Sequence, residues 1–268
     1  MKRNVLIIVL CLILACIALF SGYKIVTTLL EYKAGTDAYQ DLQQYVNVPV
    51  TTQPAPSRTD AAQTPTATQS PTEETVPAQE QIKAPIGVDF DLLLDINSDV
   101  VGWIYLSGSK ISFPVVQGED NSEYLYRLIN GDYNGAGTPF LDYRNSPDFT
   151  DPNTIIYGHN MNNGSMFADI HKYVDQEFFD DHPVIWLLTP ERDYRIEVFA
   201  GYITGVDADA WKLDFETPLE FADWLRQSRE KSLFASAVIP TVEDRIVTIS
   251  TCSNSANQTR FVLLGIIR

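Results

Sequence analysis

The sequence predicts a mainly β domain, a barrel or sandwich with a few peripheral helices, carried on an N-terminal apolar anchor. Three observations lead there. From about residue 82 onward, short runs rich in β-branched and aromatic residues recur between turn signals. These runs do not alternate regularly with helical segments, which argues against a doubly wound sheet. The stretch is about 185 residues long, enough for one domain with a sizeable core.

Residues 5–20 are sixteen consecutive apolar residues preceded by Lys2 and Arg3, and the chain turns apolar again at Ile25-Val26 and Leu29-Leu30. A helical span needs about 20 residues, a length reached if Lys24 snorkels to the interface. A cleaved signal peptide is the rival, but the apolar run is longer than a usual signal core and no small-x-small site follows Phe20. We read residues 1–4 as cytoplasmic and residues 5–30 as an uncleaved transmembrane signal-anchor. Lys2 and Arg3 then place the rest of the chain outside a single-pass cell membrane span. Residues 31–47 are helix-compatible and read as a stalk. Residues 48–84 are rich in Pro, Thr, Ala, Gln and Ser and lack the large apolar side chains that offset ordering entropy. They read as a disordered linker holding the domain, residues 85–268, off the membrane.

Within that domain, residues 89–96 suit a short helix. Residues 100–106 and 110–116 suit strands joined at Ser107-Gly-Ser109. Residues 138–141 and 153–157 suit two more, and 183–188 and 194–204 flank a turn at Thr189-Pro-Glu-Arg-Asp193. Residues 218–234 make the best helix, with Leu219, Phe221, Ala222, Trp224, Leu225 and Leu233 as its apolar stripe. Thr217 suits its N-cap and Pro218 its first position. Residues 245–251 and 261–267 are the last two strands.

The net charge is −16, and residues 1–35 carry +3, which leaves −19 for the remainder. So acidic a surface argues against nucleic acid as a partner.

Cys252 is the only cysteine outside the apolar segment that holds Cys11 and Cys16. A lone cysteine in an exported domain is an inert buried thiol, an intermolecular partner or a nucleophile. It ends a β-branched run, and Arg260 heads the next. If the two strands pair antiparallel, thiol and guanidinium share one rim of a sheet whose strands are about 4.8 Å apart. On the first strand Ile246, Thr248, Ser250 and Cys252 share one face, which grows more polar toward its end. Two readings stay open: a wall that is core at one end and cleft at the other, or an ordinary edge hairpin with a buried cysteine and a solvated arginine.

Of the three histidines, His171 and His182 lie among acidic and aromatic residues and read as structural or surface groups. His159 follows a strand directly and precedes the turn-rich Asn160-Met-Asn-Asn-Gly164, where catalytic groups tend to sit. Gly158 relieves backbone crowding beside it. A thiolate is a nucleophile whose fraction rises near positive charge, a histidine moves the proton, and an arginine stabilises an oxyanion without losing its charge. These three groups suffice for acyl transfer. The histidines and the single external cysteine lack zinc-site spacing, and no Gly-rich phosphate loop is present, so neither metal nor cofactor is expected.

Thr248-Ile-Ser-Thr-Cys252 is similar to the Thr-Leu-x-Thr-Cys signature of the sortases, membrane-anchored cysteine transpeptidases of Gram-positive-type bacteria, with Ile where Leu is usual. Tyr157-Gly-His-Asn-Met161, Gly164-Ser-Met-Phe167, Val101-Gly-Trp-Ile104, Phe113-Pro-Val-Val-Gln-Gly118 and Phe140-Leu-Asp-Tyr-Arg-Asn145 resemble the class B subgroup. So does the helix ahead of the cysteine strand. The resemblance covers roughly residues 85 to 268. It implies a closed eight-stranded sortase β-barrel with added helices. It implies that Cys252 attacks a sorting signal of the Leu-Pro-x-Thr-Gly or Asn-Pro-x-Thr-Asn sort after its threonine, and that a peptidoglycan amine resolves the thioacyl enzyme. His159 and Arg260 match the family's histidine and arginine, and Asn160, Ser250 and Thr251 are candidates for lining the substrate groove. The rival readings are a Cys-His peptidase resolved by water, a pilin-polymerising sortase, and a non-catalytic binding module. The last is favoured only where Cys252, His159 or Arg260 is missing, and all three are present.

Overall fold

The structure, a computed structural model, describes residues 2–47, 83–252 and 259–268. Most of the expected linker and the polar connection between the last two strands lie outside the described residues, and Cys252 is described by its backbone alone.

Helix α1 (Lys2–Leu42) runs unbroken and is long and apolar enough to cross a membrane. Its large apolar residues from Leu6 through Leu30 are exposed, as on a lipid-facing helix. The segment 31–47, read as a helical stalk, is helical through Leu42 and packs one face on the domain. Tyr32, Gly35, Tyr39 and Leu42 recur at helical spacing, and Tyr39 and Leu42 are buried in the main core with Tyr32 packed beside them. After a 3-10 turn (Gln43–Tyr45), strand β1 (Val46–Asn47) pairs antiparallel with β2 (Gly87–Val88), with Asn47 opposite Gly87. The chain thus leaves and returns at one two-stranded ribbon.

Helix α2 (Phe90–Ile96) is capped by Asp89, whose carboxylate accepts from Leu92 N at 3.2 Å. Strands β3 (Val100–Tyr105) and β4 (Ser112–Val116) form a hairpin that turns through Gly108 at φ 75°. There follow β5 (Phe140–Leu141), β6 (Asn153–His159), helix α3 (Gln176–Asp181), β7 (Val184–Leu188) and β8 (Asp193–Gly205). Helix α4 (Pro218–Glu230), β9 (Ile246–Cys252) and β10 (Thr259–Ile267) complete the chain. The eight strands β3 to β10 close a barrel in the order β10-β8-β7-β3-β4-β5-β6-β9, as the resemblance implies.

Two of its joins are parallel, β4 with β5 and β6 with β9. Parallel partners need long crossovers, and these carry the segment 117–139 and the segment 160–245.

Both faces of β9 and β10 are buried. Val247, Ile249, Phe261 and Leu263 join the main core, whereas Ile246, Val262, Leu264 and Ile266 join a second cluster with Phe221, Trp224 and Leu225 of α4. Helix α4 begins as expected, Thr217 Oγ1 accepting from Glu220 N at 3.2 Å. It ends four residues short of the expected span, and Leu219 and Leu233 are exposed rather than part of its buried stripe. The first expected strand of the β5–β6 pair is only two residues long.

Candidate active site

Strands β6 and β9 run parallel, so their C-terminal ends reach the same rim of the barrel, where His159 and Cys252 are Cα partners. His159 is the last residue of its strand, not part of the loop after it. Strand β10 is antiparallel to β9 with Val262 opposite Ser250. Continuing that register two places puts Arg260 across from Cys252. Its partner on the other side is Thr204 of β8. Histidine, cysteine and arginine thus come from three adjacent strands, the cysteine in the middle. At about 4.8 Å per strand, each flanking backbone is one strand away from it.

His159 is 6 % exposed. Its Nε2 lies 2.7 Å from the Leu125 carbonyl, and a carbonyl only accepts. The neutral ring therefore carries its proton on Nε2 and keeps the lone pair on Nδ1. Nδ1 is buried and has no hydrogen-bond partner among the described residues. The Tyr126 ring packs against the imidazole, centroids 5.7 Å apart at 34°. Gly158 admits the Phe167 ring so closely that a Cβ there would sit 2.4 Å from Phe167 Cδ2. Burial lowers the pKa of His159; the Leu125 carbonyl opposes this and the Arg260 charge adds to it.

That direction makes a prediction. In the full-length Cys252→Ala variant, the His159 imidazole titrates below the ordinary value of about 6.5, and its neutral form shows the Nε2–H tautomer by nitrogen chemical shift. The unfolded chain then binds the extra proton first as pH falls, so stability declines as pH drops from the ordinary value toward the lowered one. A midpoint at or above the ordinary value contradicts the burial.

Arg260 is half-buried, with Nη1 donating to the Thr259 carbonyl at 3.2 Å. It lines an open cleft of about 540 Å³ together with Arg144, Tyr157, Trp211, Lys212 and Ser250. Ser250 Oγ accepts from Trp211 Nε1 at 3.1 Å, which ties the 209–211 turn to the end of β9. Behind the cleft, fully buried Asp142 receives Arg144 through two bonds, Nε at 2.9 Å and Nη2 at 2.8 Å, and the Tyr157 hydroxyl at 3.0 Å. Burial pushes the Asp142 carboxyl up, but hydrogen bonds from Arg144, Asn121 and Tyr157 outweigh it and hold the group below the usual range. An acid kept ionised this way fixes two cleft residues at once.

The expected groove residues part company here. Ser250 does line the cleft. Thr251 does not fit that expectation: it is fully buried, and its hydroxyl donates to the Phe261 carbonyl and accepts from the Phe261 amide, both at 3.3 Å. It shares the face of Val247 and Ile249, which packs into the main core. Asn160 is half-buried and bridges by its backbone to Met166. His182 is structural as expected, stacked 4.2 Å from Phe178 with Nδ1 2.9 Å from the Phe178 carbonyl. The His171 ring rests 5.2 Å from that of Phe261. Sequence reasoning missed Leu125 and Tyr126, and it noted the Phe140–Asn145 string without seeing the Asp142 network. Only that string carried a signal, an acid two residues before an arginine.

Comparison with known proteins gives a consistent picture. A family model for the sortase domain matches residues 104–266. Sortase B of Listeria monocytogenes is 38 % identical over 175 residues, 65 % of this chain and 71 % of that protein. Sortase B of Staphylococcus aureus is 31 % identical over 259 residues, 97 % of this chain and 93 % of that protein. Among solved structures, the Staphylococcus aureus sortase B–substrate complex aligns with a TM-score of 0.65 and 35 % identity, covering 67 % of this chain and 84 % of that one.

Proposed function

The chain belongs to the sortase family, whose members are cysteine transpeptidases, and from that premise we propose that it anchors exported proteins to the cell wall as a class B-type enzyme. The substrate is a C-terminal sorting signal of the Leu-Pro-x-Thr-Gly or Asn-Pro-x-Thr-Asn sort. The acceptor is an amine of peptidoglycan. The observation that carries the reading is the register of three strands, which sets His159 and Arg260 on either side of Cys252 at one rim.

Cys252 sulfur, as thiolate, bonds to the threonine carbonyl carbon. The thiol proton passes to Nδ1 of His159, the ring nitrogen whose lone pair is uncommitted among the described residues. Arg260 stabilises the oxyanion. The peptide C–N bond then breaks, and His159 delivers its proton to the departing amine. In the second half an acceptor amine attacks the thioester carbonyl and gives its proton to His159. The C–S bond breaks, the new amide leaves, and Cys252 recovers its proton. The apolar helix α1 serves as the membrane anchor, with Lys2 and Arg3 inside and the barrel outside.

Arg260→Ala tests the role given to the guanidinium. It lowers kcat about 10²- to 10³-fold and leaves KM for the sorting peptide nearly unchanged, because the oxyanion exists only beyond the ground state. Wild-type kcat in that variant contradicts the assignment. The whole reading is tested by incubating the full-length protein in nanodiscs with sorting-signal peptides, with and without a diaminopimelate-containing or glycine-terminated stem peptide. A ligated product that forms only with the amine supports the transpeptidase. Cleavage by water alone, whatever amine is added, moves the protein to the peptidases, and a product joined to a pilin lysine moves it to pilus assembly.

A further inference from the structure

The backbone carbonyl bonded to His159 is linked to helix α1 through one intervening arm, residues 134–138. The turn Glu123–Tyr126 supplies the Leu125 carbonyl to Nε2 and the Tyr126 ring to the imidazole face. That turn is backed by the returning arm 134–138. Asn134 N donates to the Tyr126 carbonyl at 3.0 Å, Thr138 N to the Tyr124 carbonyl at 3.0 Å, and Thr138 Oγ1 to the Arg127 carbonyl at 2.8 Å. At Gly137, φ 59°, the two arms are so close that a Cβ would lie 2.5 Å from the Leu125 oxygen itself.

The arm 134–138 is gripped from behind by one face of α1. Gly135 N donates to Glu31 Oε1 at 2.8 Å, and Asn134 Nδ2 donates to the Glu31 carbonyl at 3.0 Å. One turn on, a Cβ at buried Gly35 would lie 2.9 Å from Asn134 Oδ1 and 3.2 Å from Ala136 Cβ. Another turn on, the buried Tyr39 hydroxyl donates to the Gly137 carbonyl and lies 3.0 Å from Thr138 Oγ1. Residues 31, 35 and 39 share one face of the helix. They meet the arm in a region nearly a hundred residues away in sequence.

We propose that Glu31, Gly35 and Tyr39 are positioning residues for His159, and that the centre reaches full rate only while the barrel is seated on the end of its own anchor helix. The inference rests on the role given to His159 above. It makes the anchor more than a tether, because the segment just beyond the apolar span sets the Leu125 carbonyl and with it the tautomer and orientation of the imidazole. A carbonyl about one ångström out of place is enough to lower a proton-transfer rate.

The test uses the full chain in nanodiscs, with Tyr39→Phe, Gly35→Leu, Glu31→Ala and Glu31→Gln measured beside His159→Ala. Tyr39→Phe removes the hydroxyl and its two buried hydrogen bonds, to the Gly137 carbonyl and Thr138 Oγ1, and lowers kcat about three- to tenfold with KM unchanged. Gly35→Leu wedges the helix off the arm and lowers it further. Glu31→Gln keeps the acceptor oxygen and recovers most of the rate that Glu31→Ala loses. A readout that a merely structural role leaves alone is the His159 titration midpoint. Arg260 from β10 and Tyr126 from the turn act on the ring in every variant, and Cys252 of β9 is the Cα partner of His159. Losing the Leu125 bond, which favours the charged ring, moves the midpoint down in Tyr39→Phe and Gly35→Leu. If these variants lose thermal stability while kcat and the midpoint stay at wild-type values, and His159→Ala is inactive, the coupling is wrong and the catalytic reading survives. If His159→Ala turns over normally, the reading of His159 fails and the coupling fails with it.

Discussion

Cys252→Ala abolishes acylation and turnover of any sorting peptide, while the protein folds and binds the peptide as before. The nucleophile contributes a bond that no neighbour replaces, and removing it leaves only the binding and oxyanion contributions of the site. Cys11 and Cys16 lie in the apolar helix α1, away from the barrel rim, so neither can replace Cys252 as the nucleophile. Cys252 is the Cα partner of His159, and the β9–β10 register, continued two places past Val262–Ser250, sets Arg260 on its other side. Turnover surviving in Cys252→Ala moves the chemistry to another group.

His159→Ala lowers the acylation rate about 10²- to 10⁴-fold, with less effect on peptide affinity. The ring is buried and its one resolved hydrogen bond is to a backbone carbonyl. Deleting it strands no charged partner, which limits the structural damage. A fall in kcat without collapse of the melting transition therefore separates proton transfer from folding. A pH profile that becomes flat where the wild-type profile bends identifies the same group by a second route. Equal rates in variant and wild type contradict the role.

The β class was legible because the strands are short apolar runs punctuated by turns, but those runs suited a sandwich as well as a barrel, and closure into eight strands came only from the resemblance. The three reactive residues were legible for a different reason: thiol, imidazole and guanidinium are side-chain chemistry, and chain order already put two of them at the ends of consecutive strands. What holds His159 was not. Leu125 acts through its carbonyl, a group every residue has, so nothing about a leucine marks it. Thr251 misled because a polar residue at a strand end reads as groove-facing, whereas here both faces of β9 are covered and its hydroxyl closes the ladder to Phe261. The docked end of α1 was read as a stalk because Glu31, Lys33, Thr36 and Asp37 surround its stripe of Tyr32, Gly35, Tyr39 and Leu42. The partner surface at 134–138 lies too far along the chain for local patterning to reveal it.

The most direct measurement is the intact mass of the full-length protein in nanodiscs after incubation with a sorting-signal peptide and no acceptor amine. The account predicts a mass gain equal to the peptide fragment ending at threonine, mapped to Cys252 and discharged when a stem-peptide amine is added. It is contradicted if no peptide of the panel leaves an adduct although Cys252 reacts with a small alkylating reagent, or if the fragment is found on another residue.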